Sequence, residues 1–192
     1  MITQRHRTHA VALTAALTAA LTAALWAAPA AAEETICTGA VGPVYKDNIF
    51  VPDGATCVLD RTRLNGNLVV GRGATARAAG ITVNGNVQAE GAAFIGIAGY
   101  STVGGSVQIV QGGGATIEGA RIKGDLQFES NVAPITATGN IVGGSLQAFQ
   151  NLGGLSLVNN RMNGNLQCKE NMPAPVGSGN RSPSKEDQCA RL

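Results

Sequence analysis

One motif returns along this chain at a nearly fixed interval. Ile122-Lys123-Gly124-Asp125-Leu126-Gln127 has the same form as Leu64-Asn65-Gly66-Asn67-Leu68-Val69 and Val83-Asn84-Gly85-Asn86-Val87-Gln88. Val103-Gly104-Gly105-Ser106-Val107-Gln108, Val142-Gly143-Gly144-Ser145-Leu146-Gln147 and Met162-Asn163-Gly164-Asn165-Leu166-Gln167 repeat it, and Asp47-Asn48-Ile49-Phe50-Val51 is a worn copy. The polar residue after the glycine falls at 48, 67, 86, 106, 125, 145 and 165, so successive copies are 19, 19, 20, 19, 20 and 20 residues apart. A fixed period of this size is the mark of stacked repeats, each unable to bury its apolar face alone.

Each repeat reads as a strand, a Gly-rich bend, a strand, another bend and a last short strand. Residues in a strand alternate between two faces. Leu68 and Val70, Val107 and Ile109, and Leu126 and Phe128 are apolar and read as inward. Gln88, Gln108, Gln127, Gln147 and Gln167 lie between such pairs and read as outward. Three strands in about 20 residues leave no room for crossover helices, so the chain must coil, each strand about 4.8 Å from its counterpart in the turn before. The expected fold is all-β, a single-stranded parallel β-helix of about seven turns. A left-handed hexapeptide coil would use turns of about 18 residues. The 19–20 spacing therefore favours the right-handed form, the usual hand of parallel crossovers. The corner glycines Gly66, Gly85, Gly105, Gly124, Gly144 and Gly164 suit a bend with positive φ or with no space for Cβ.

Residues 1–32 stand apart. Arg5, His6, Arg7 and His9 precede an apolar run that ends at Ala30-Ala31-Ala32, the layout of a secretory signal peptide. The rival, a membrane anchor, is disfavoured by the Ala-rich run and its small-residue end. No later stretch approaches the ~18 apolar residues that span a bilayer. No small residues directly precede Cys37, so a lipoprotein anchor is not expected. The expected divisions are a signal peptide over 1–32, a lead-in and cap over 33–47, the coil over 48–168 and a C-terminal cap loop over 169–192.

Removing 1–32 takes away both histidines and the single tryptophan. Arg5 and Arg7 go with it, leaving 12 Lys+Arg against 12 Asp+Glu. A neutral chain has no net electrostatic reason to bind nucleic acid or anionic lipid. Without histidine, Ser–His and Cys–His nucleophile pairs and His-bound zinc are excluded.

The cysteines lie at the two ends. Four cysteines allow three pairings. Cys57 and Cys168 are six repeats apart, about 29 Å along the coil at ~4.8 Å per step, whereas a disulfide tolerates about 7 Å between Cα atoms. Cys37 belongs with the first copy and Cys189 follows the last, so Cys37–Cys57 and Cys168–Cys189 are the expected pairs, closing the ends of the solenoid. A secreted destination permits both. A reactive or metal-binding thiol set is disfavoured by the absence of C-x-x-C and histidine.

Two outward columns recur, the five glutamines and the residues after the glycine. Both read as hydrogen-bonded ladders along the axis. Their functional reading is a flat face for a sugar polymer or another protein. The charge-dense repeat holds Glu118, Arg121, Lys123, Asp125 and Glu129. Polysaccharide-cleaving β-helix proteins work with carboxylates and Arg or Lys, which makes Asp125, Lys123 and Arg121 the catalytic candidates. Short bends that build no cleft, and the amides and hydroxyls elsewhere in the column of Asp125, weigh against an enzyme. No metal and no cofactor are expected. Thr56, Thr75 and Thr116 are read as one outward column broken at Phe94, and Phe94, Tyr100 and Phe149 as corner aromatics.

The repeat apolar-x-Gly-[Asn/Ser/Asp]-apolar-Gln resembles the turns of secreted bacterial β-helix proteins of unknown function. The resemblance includes Val51-Pro52-Asp53-Gly54-Ala55-Thr56-Cys57 and the ending Gly164-Asn165-Leu166-Gln167-Cys168 with Lys185-Glu186-Asp187-Gln188-Cys189. It implies the fold and export and brings no catalytic residues. The coil is more distantly similar, by architecture, to bactofilins and to the pectate-lyase-like superfamily. An export signal and disulfide-closed ends depart from bactofilins. The expected product is a secreted, monomeric, non-enzymatic structural or binding module at or outside the cell surface, its partner a cell-surface glycan or a protein. A filament former and a polysaccharide-active enzyme are the alternatives.

Overall fold

Alternation decides the interior of this molecule. The computed structural model describes residues 33–192; the signal-peptide assignment of 1–32 lies outside them. The chain is an all-β parallel solenoid of about eight turns. Its strands stack into three sheets of nine, eight and seven strands among the described residues. One turn is Leu126–Glu129 in the first sheet, Ile135–Thr138 in the second and Ile141–Val142 in the third. Registers run straight along the axis: Val107, Leu126, Leu146 and Leu166 are partners in the first sheet, and Val103, Ile122, Val142 and Met162 in the third. These columns are buried and form one continuous core.

Volume is traded within a turn. Phe128 shares its turn with Ala137, and in the next turn Ala148 shares with Leu157, all fully buried. Such exchange keeps each layer filled without strain.

The coil is one turn longer than the seven copies of the motif. Residues 33–47, expected as a lead-in, lay down Glu34–Ile36, Ala40–Val41 and Tyr45–Lys46, each paired in parallel with the turn after it. Cys37 is the reason this turn holds without the motif: its side chain is 2% exposed and joined to Cys57, with Cα atoms 5.6 Å apart. At the other end, residues 169–192 add Val176–Ser178 to the second sheet and Lys185–Asp187 to the first. Cys168–Cys189 fixes this return, with Cα atoms 5.2 Å apart.

The corner glycines serve space rather than torsion. A Cβ on Gly66, Gly105 or Gly144 would sit 2.1 Å from the Oδ1 of Asn48, Asn86 or Asp125 in the preceding turn. That side chain accepts the N–H of the residue after the glycine. The series runs Asn48 to Asn67, Asn67 to Asn86, Asn86 to Ser106, Ser106 to Asp125, Asp125 to Ser145 and Ser145 to Asn165, at 2.7–3.0 Å. The Gly-[Asn/Ser/Asp] pair is thus one device: the glycine vacates the space that the polar group one turn earlier fills.

Two further ladders run inside the corners. Asn131, Asn151 and Asn171 stack between the first and second sheets, and Asn140, Asn160 and Asn180 between the second and third, all at most 5% exposed. Each amide oxygen of Asn151, Asn171, Asn160 and Asn180 accepts both the backbone N–H and the Nδ2–H of the asparagine one turn before. Each Nδ2 also donates to a core-strand carbonyl, such as Asn151 to Phe128 O at 3.0 Å. Burial of an amide is tolerated only when it is satisfied in this way. Among the described residues no buried side-chain N or O lacks a partner.

Candidate binding faces

The first sheet turns the glutamine column outward. Gln108 Nε2 donates to Gln127 Oε1 at 2.8 Å, Gln127 to Gln147 at 2.8 Å and Gln147 to Gln167 at 2.9 Å. Glu186 ends the series. One of its oxygens accepts from Gln167 at 2.7 Å and the other from Asn165 at 2.8 Å. A single carboxylate on the last strand therefore closes two amide columns, and Gln188 closes the buried column at Asn171. Gln88 is in register with Gln108 but exposed, outside this chain of bonds.

Next to Gln88 the face is dented. A shallow open groove of about 660 Å³ runs beside Asp53, Arg72, Gln88 and Glu90 over Val69 and Gly71. Gly71 makes the dent. A Cβ there would meet Asp53 Oδ1 at 2.4 Å and Val51 O at 3.0 Å, and that same Oδ1 accepts the Arg72 N–H at 2.8 Å. The groove offers an amide, charges of both signs and an apolar floor, a set suited to hydrogen bonding with polyhydroxyl chains.

The catalytic candidates are spread around the perimeter. Glu118 ends a strand of the second sheet, Arg121 and Lys123 lie on the outer side of the third, and Glu129 is at the far end of the first. Asp125 occupies the corner between third and first sheets. Its Oδ1 accepts the Ser145 N–H at 2.7 Å, the role that Asn and Ser play in other turns. Three carboxylates of one turn therefore face three directions. Among the described residues no three His, Cys, Asp or Glu gather as a metal would require. We expect Asp125→Asn, which keeps Oδ1, to change unfolding free energy by less than about 0.5 kcal/mol, and Asp125→Ala to lower it by about 1 kcal/mol. Equal losses in urea unfolding would contradict this role.

The threonines do not form the single column expected. Thr56 and Thr75 are partners, followed by Phe94 and Gly114, whereas Thr116 stands in the neighbouring column after Gly96. Through these turns the step from first to second sheet is constant, Val51 to Thr56, Val70 to Thr75, Ala89 to Phe94 and Ile109 to Gly114, so Thr116 lies two residues further along its strand than Thr56 and Thr75 do along theirs. Nor are the aromatics alike. Phe94 lies under the Arg77 guanidinium, 4.5 Å from its ring centroid. Tyr100 is 90% exposed at a corner where both it and Gly99 have positive φ.

No helix among the described residues is long and apolar enough to cross a membrane. No family model, curated protein or solved structure matches the chain. The expected likeness to secreted β-helix proteins, bactofilins and the pectate-lyase-like superfamily thus gains no support from them; what is shown is the parallel β-solenoid itself.

Proposed function

We propose that this chain is an exported, non-enzymatic solenoid that acts as a rigid structural or binding module at or outside the cell surface. The dispersal of the charge-dense turn carries the reading. Acid–base cleavage needs two carboxyl groups flanking one bond, and here Glu118, Asp125 and Glu129 point to separate faces while Asp125 is engaged in the backbone. The flat faces, with Gln88, Gln108, Gln127, Gln147 and Gln167 along one of them, support docking of an extended partner, a glycan or a protein strand. Two end-closing disulfides fit an oxidising compartment.

Expressed with residues 1–32 in place, the protein is expected outside the cytoplasm with Glu33 as its N-terminal residue. Incubated with neutral and uronate polysaccharides, it is expected to leave their chain length unchanged. Depolymerisation that disappears in Asp125→Ala would overturn the reading in favour of an enzyme. The filament alternative keeps one supporting observation: Glu34–Ile36 and Lys185–Asp187 are the two outermost strands of the nine-stranded sheet, each with one edge unpaired among the described residues. Light scattering and electron microscopy, with the disulfides oxidised and then reduced, separate these cases. A monomer when oxidised supports closed ends; filaments when oxidised make assembly the function.

A further inference from the structure

Charge is absent from one part of this surface. No charged residue lies between Glu129 and Arg161, and none between Glu170 and Arg181. The coil brings these stretches together on the last turns of the second sheet and on the corner that leads into it. Val132, Leu152 and Met172 follow the buried asparagines and stack as partners on that corner: the Leu152 N–H donates to Asn131 O and the Met172 N–H to Asn151 O, both at 2.8 Å. Beside them the outward columns of the sheet read Thr136, Ser156 and Val176, then Thr138, Val158 and Ser178. Val132, Leu152, Met172 and Val176 are 58–72% exposed, four of the ten large apolar side chains exposed among the described residues. The rim is charged. Glu129, Phe149 and Lys169 are partners along the near edge of the first sheet, and Glu170 lies next to Lys169.

Single apolar side chains on a surface need no partner, but a contiguous patch does. An apolar centre without charge inside a charged rim is the anatomy of a protein–protein contact. The order of residues along the axis names the partner. Leu152 is the middle of its column, one strand step from Val132 on one side and from Met172 on the other. Phe149 is likewise the middle of its own, between an anion and a cation. Reversed end for end, each column meets its own complement. Val132 then faces Met172, Leu152 faces Leu152 and Glu129 faces Lys169. Thr136 faces Val176 and Thr138 faces Ser178, so no charge is stranded. A two-fold axis lying across the strands at the level of Leu152 performs this reversal. An isologous contact requires that kind of self-complementarity.

We infer that the last three turns of the second sheet, with the corner before them, are the docking surface for a second copy of this chain, turned end for end. The face is three strand steps long and as wide as the stretch 132–138, roughly 14 by 23 Å, or about 320 Å² of plan area per copy. A stable dimer buries about 800 Å² per partner. The pair is therefore reversible and forms as concentration rises. It takes the place of the monomer that the sequence suggests. A two-fold contact closes on itself, so it joins two solenoids and stops. It uses neither outermost strand of the first sheet, which separates it from the filament alternative, and it holds whether or not the solenoid is an enzyme.

The test is analytical sedimentation of the protein exported from the full chain, disulfides oxidised, from micromolar to near-millimolar concentration. A reversible monomer–dimer equilibrium is expected, with nothing larger. Leu152→Glu sets two carboxylates against each other at the axis and is expected to weaken association at least tenfold. Leu152→Ser should weaken it several-fold while the melting temperature holds, which separates docking from folding. Val58→Glu is the control. It lies on the same sheet but five strand steps from Ser156, outside the overlap, and should change nothing. The rim gives the sharper arm. Glu129→Lys and Lys169→Glu should each weaken association, because each variant alone sets like charges face to face. Mixed in equal amounts they should recover it, because both rim contacts then join opposite charges. A monomer throughout the range, or a dimer indifferent to Leu152→Glu, would overturn the assignment. So would rim variants that fail to recover on mixing, which would give the patch to an unlike protein.

Discussion

Asn151→Ala is expected to lower the unfolding free energy by about 3–5 kcal/mol. Asn151 is 1% exposed and makes four side-chain hydrogen bonds. Its Oδ1 accepts from the Asn131 N–H at 3.1 Å and from Asn131 Nδ2 at 2.9 Å. Its Nδ2 donates to Phe128 O at 3.0 Å and to Asn171 Oδ1 at 2.9 Å. Alanine leaves the Asn131 N–H orphaned and deprives Asn131 Nδ2 and Phe128 O of a partner, inside a corner that water does not reach. Each orphaned buried group costs roughly 1–3 kcal/mol. Asn151→Asp should be no milder, because a carboxylate cannot donate to Phe128 O and brings a charge into the interior. Leu152→Ser, one residue on and 58% exposed, should change stability by less than about 0.5 kcal/mol. Urea unfolding checks all three. A loss below about 1 kcal/mol in Asn151→Ala would mean that the buried ladder is dispensable.

Gly144→Ala is expected to cost about 3 kcal/mol through an added methyl group. The new Cβ would lie 2.1 Å from Asp125 Oδ1 and 3.1 Å from the Gly124 carbonyl carbon. Asp125 would have to swing away and give up the Ser145 N–H, and the backbone beneath would still be crowded. Gly139→Ala is the control. Its φ is +65° and nothing lies within 4 Å of a Cβ there. It should lose only the left-handed preference of glycine, about 1–2 kcal/mol. Combining Gly144→Ala with Asp125→Ala should cost less than the sum of the two, since the carboxylate that blocks the methyl group is gone. Strict additivity would show that the two residues do not share the space.

Much of this architecture was legible because it is periodic. The motif spacing sets the length of a turn, and alternation sorts Leu126 and Phe128 from Gln127 with no knowledge of neighbours. The disulfide pairing followed from distance along a coil. The end turns were harder to read, since 33–47 and 169–192 lack the motif and are held by Cys37, Cys189 and the caps Glu186 and Gln188. The buried ladders escaped for another reason. Asn131, Asn151 and Asn171 recur every 20 residues, as do Asn140, Asn160 and Asn180. An asparagine at a bend reads locally as an exposed turn former, and only closure of the coil turns these six inward.

The faces divide in the same way. Composition reports 12 cations and 12 anions after residue 32 and stops there. Arg121, Arg161 and Arg181 fall on one column because their separations are whole numbers of turns, and Glu118 and Glu129 leave that face because bends lie between. The sequence by itself determined a coil, its period, its inward side chains and the pairing of its four cysteines, because these follow from local alternation and distance along the chain. The tertiary structure decided which polar groups bond along the axis, which asparagines are buried and where charge is left unpaired. Those depend on what stands one turn above and below, a relation between residues about 20 positions apart that exists only once the strands are in register.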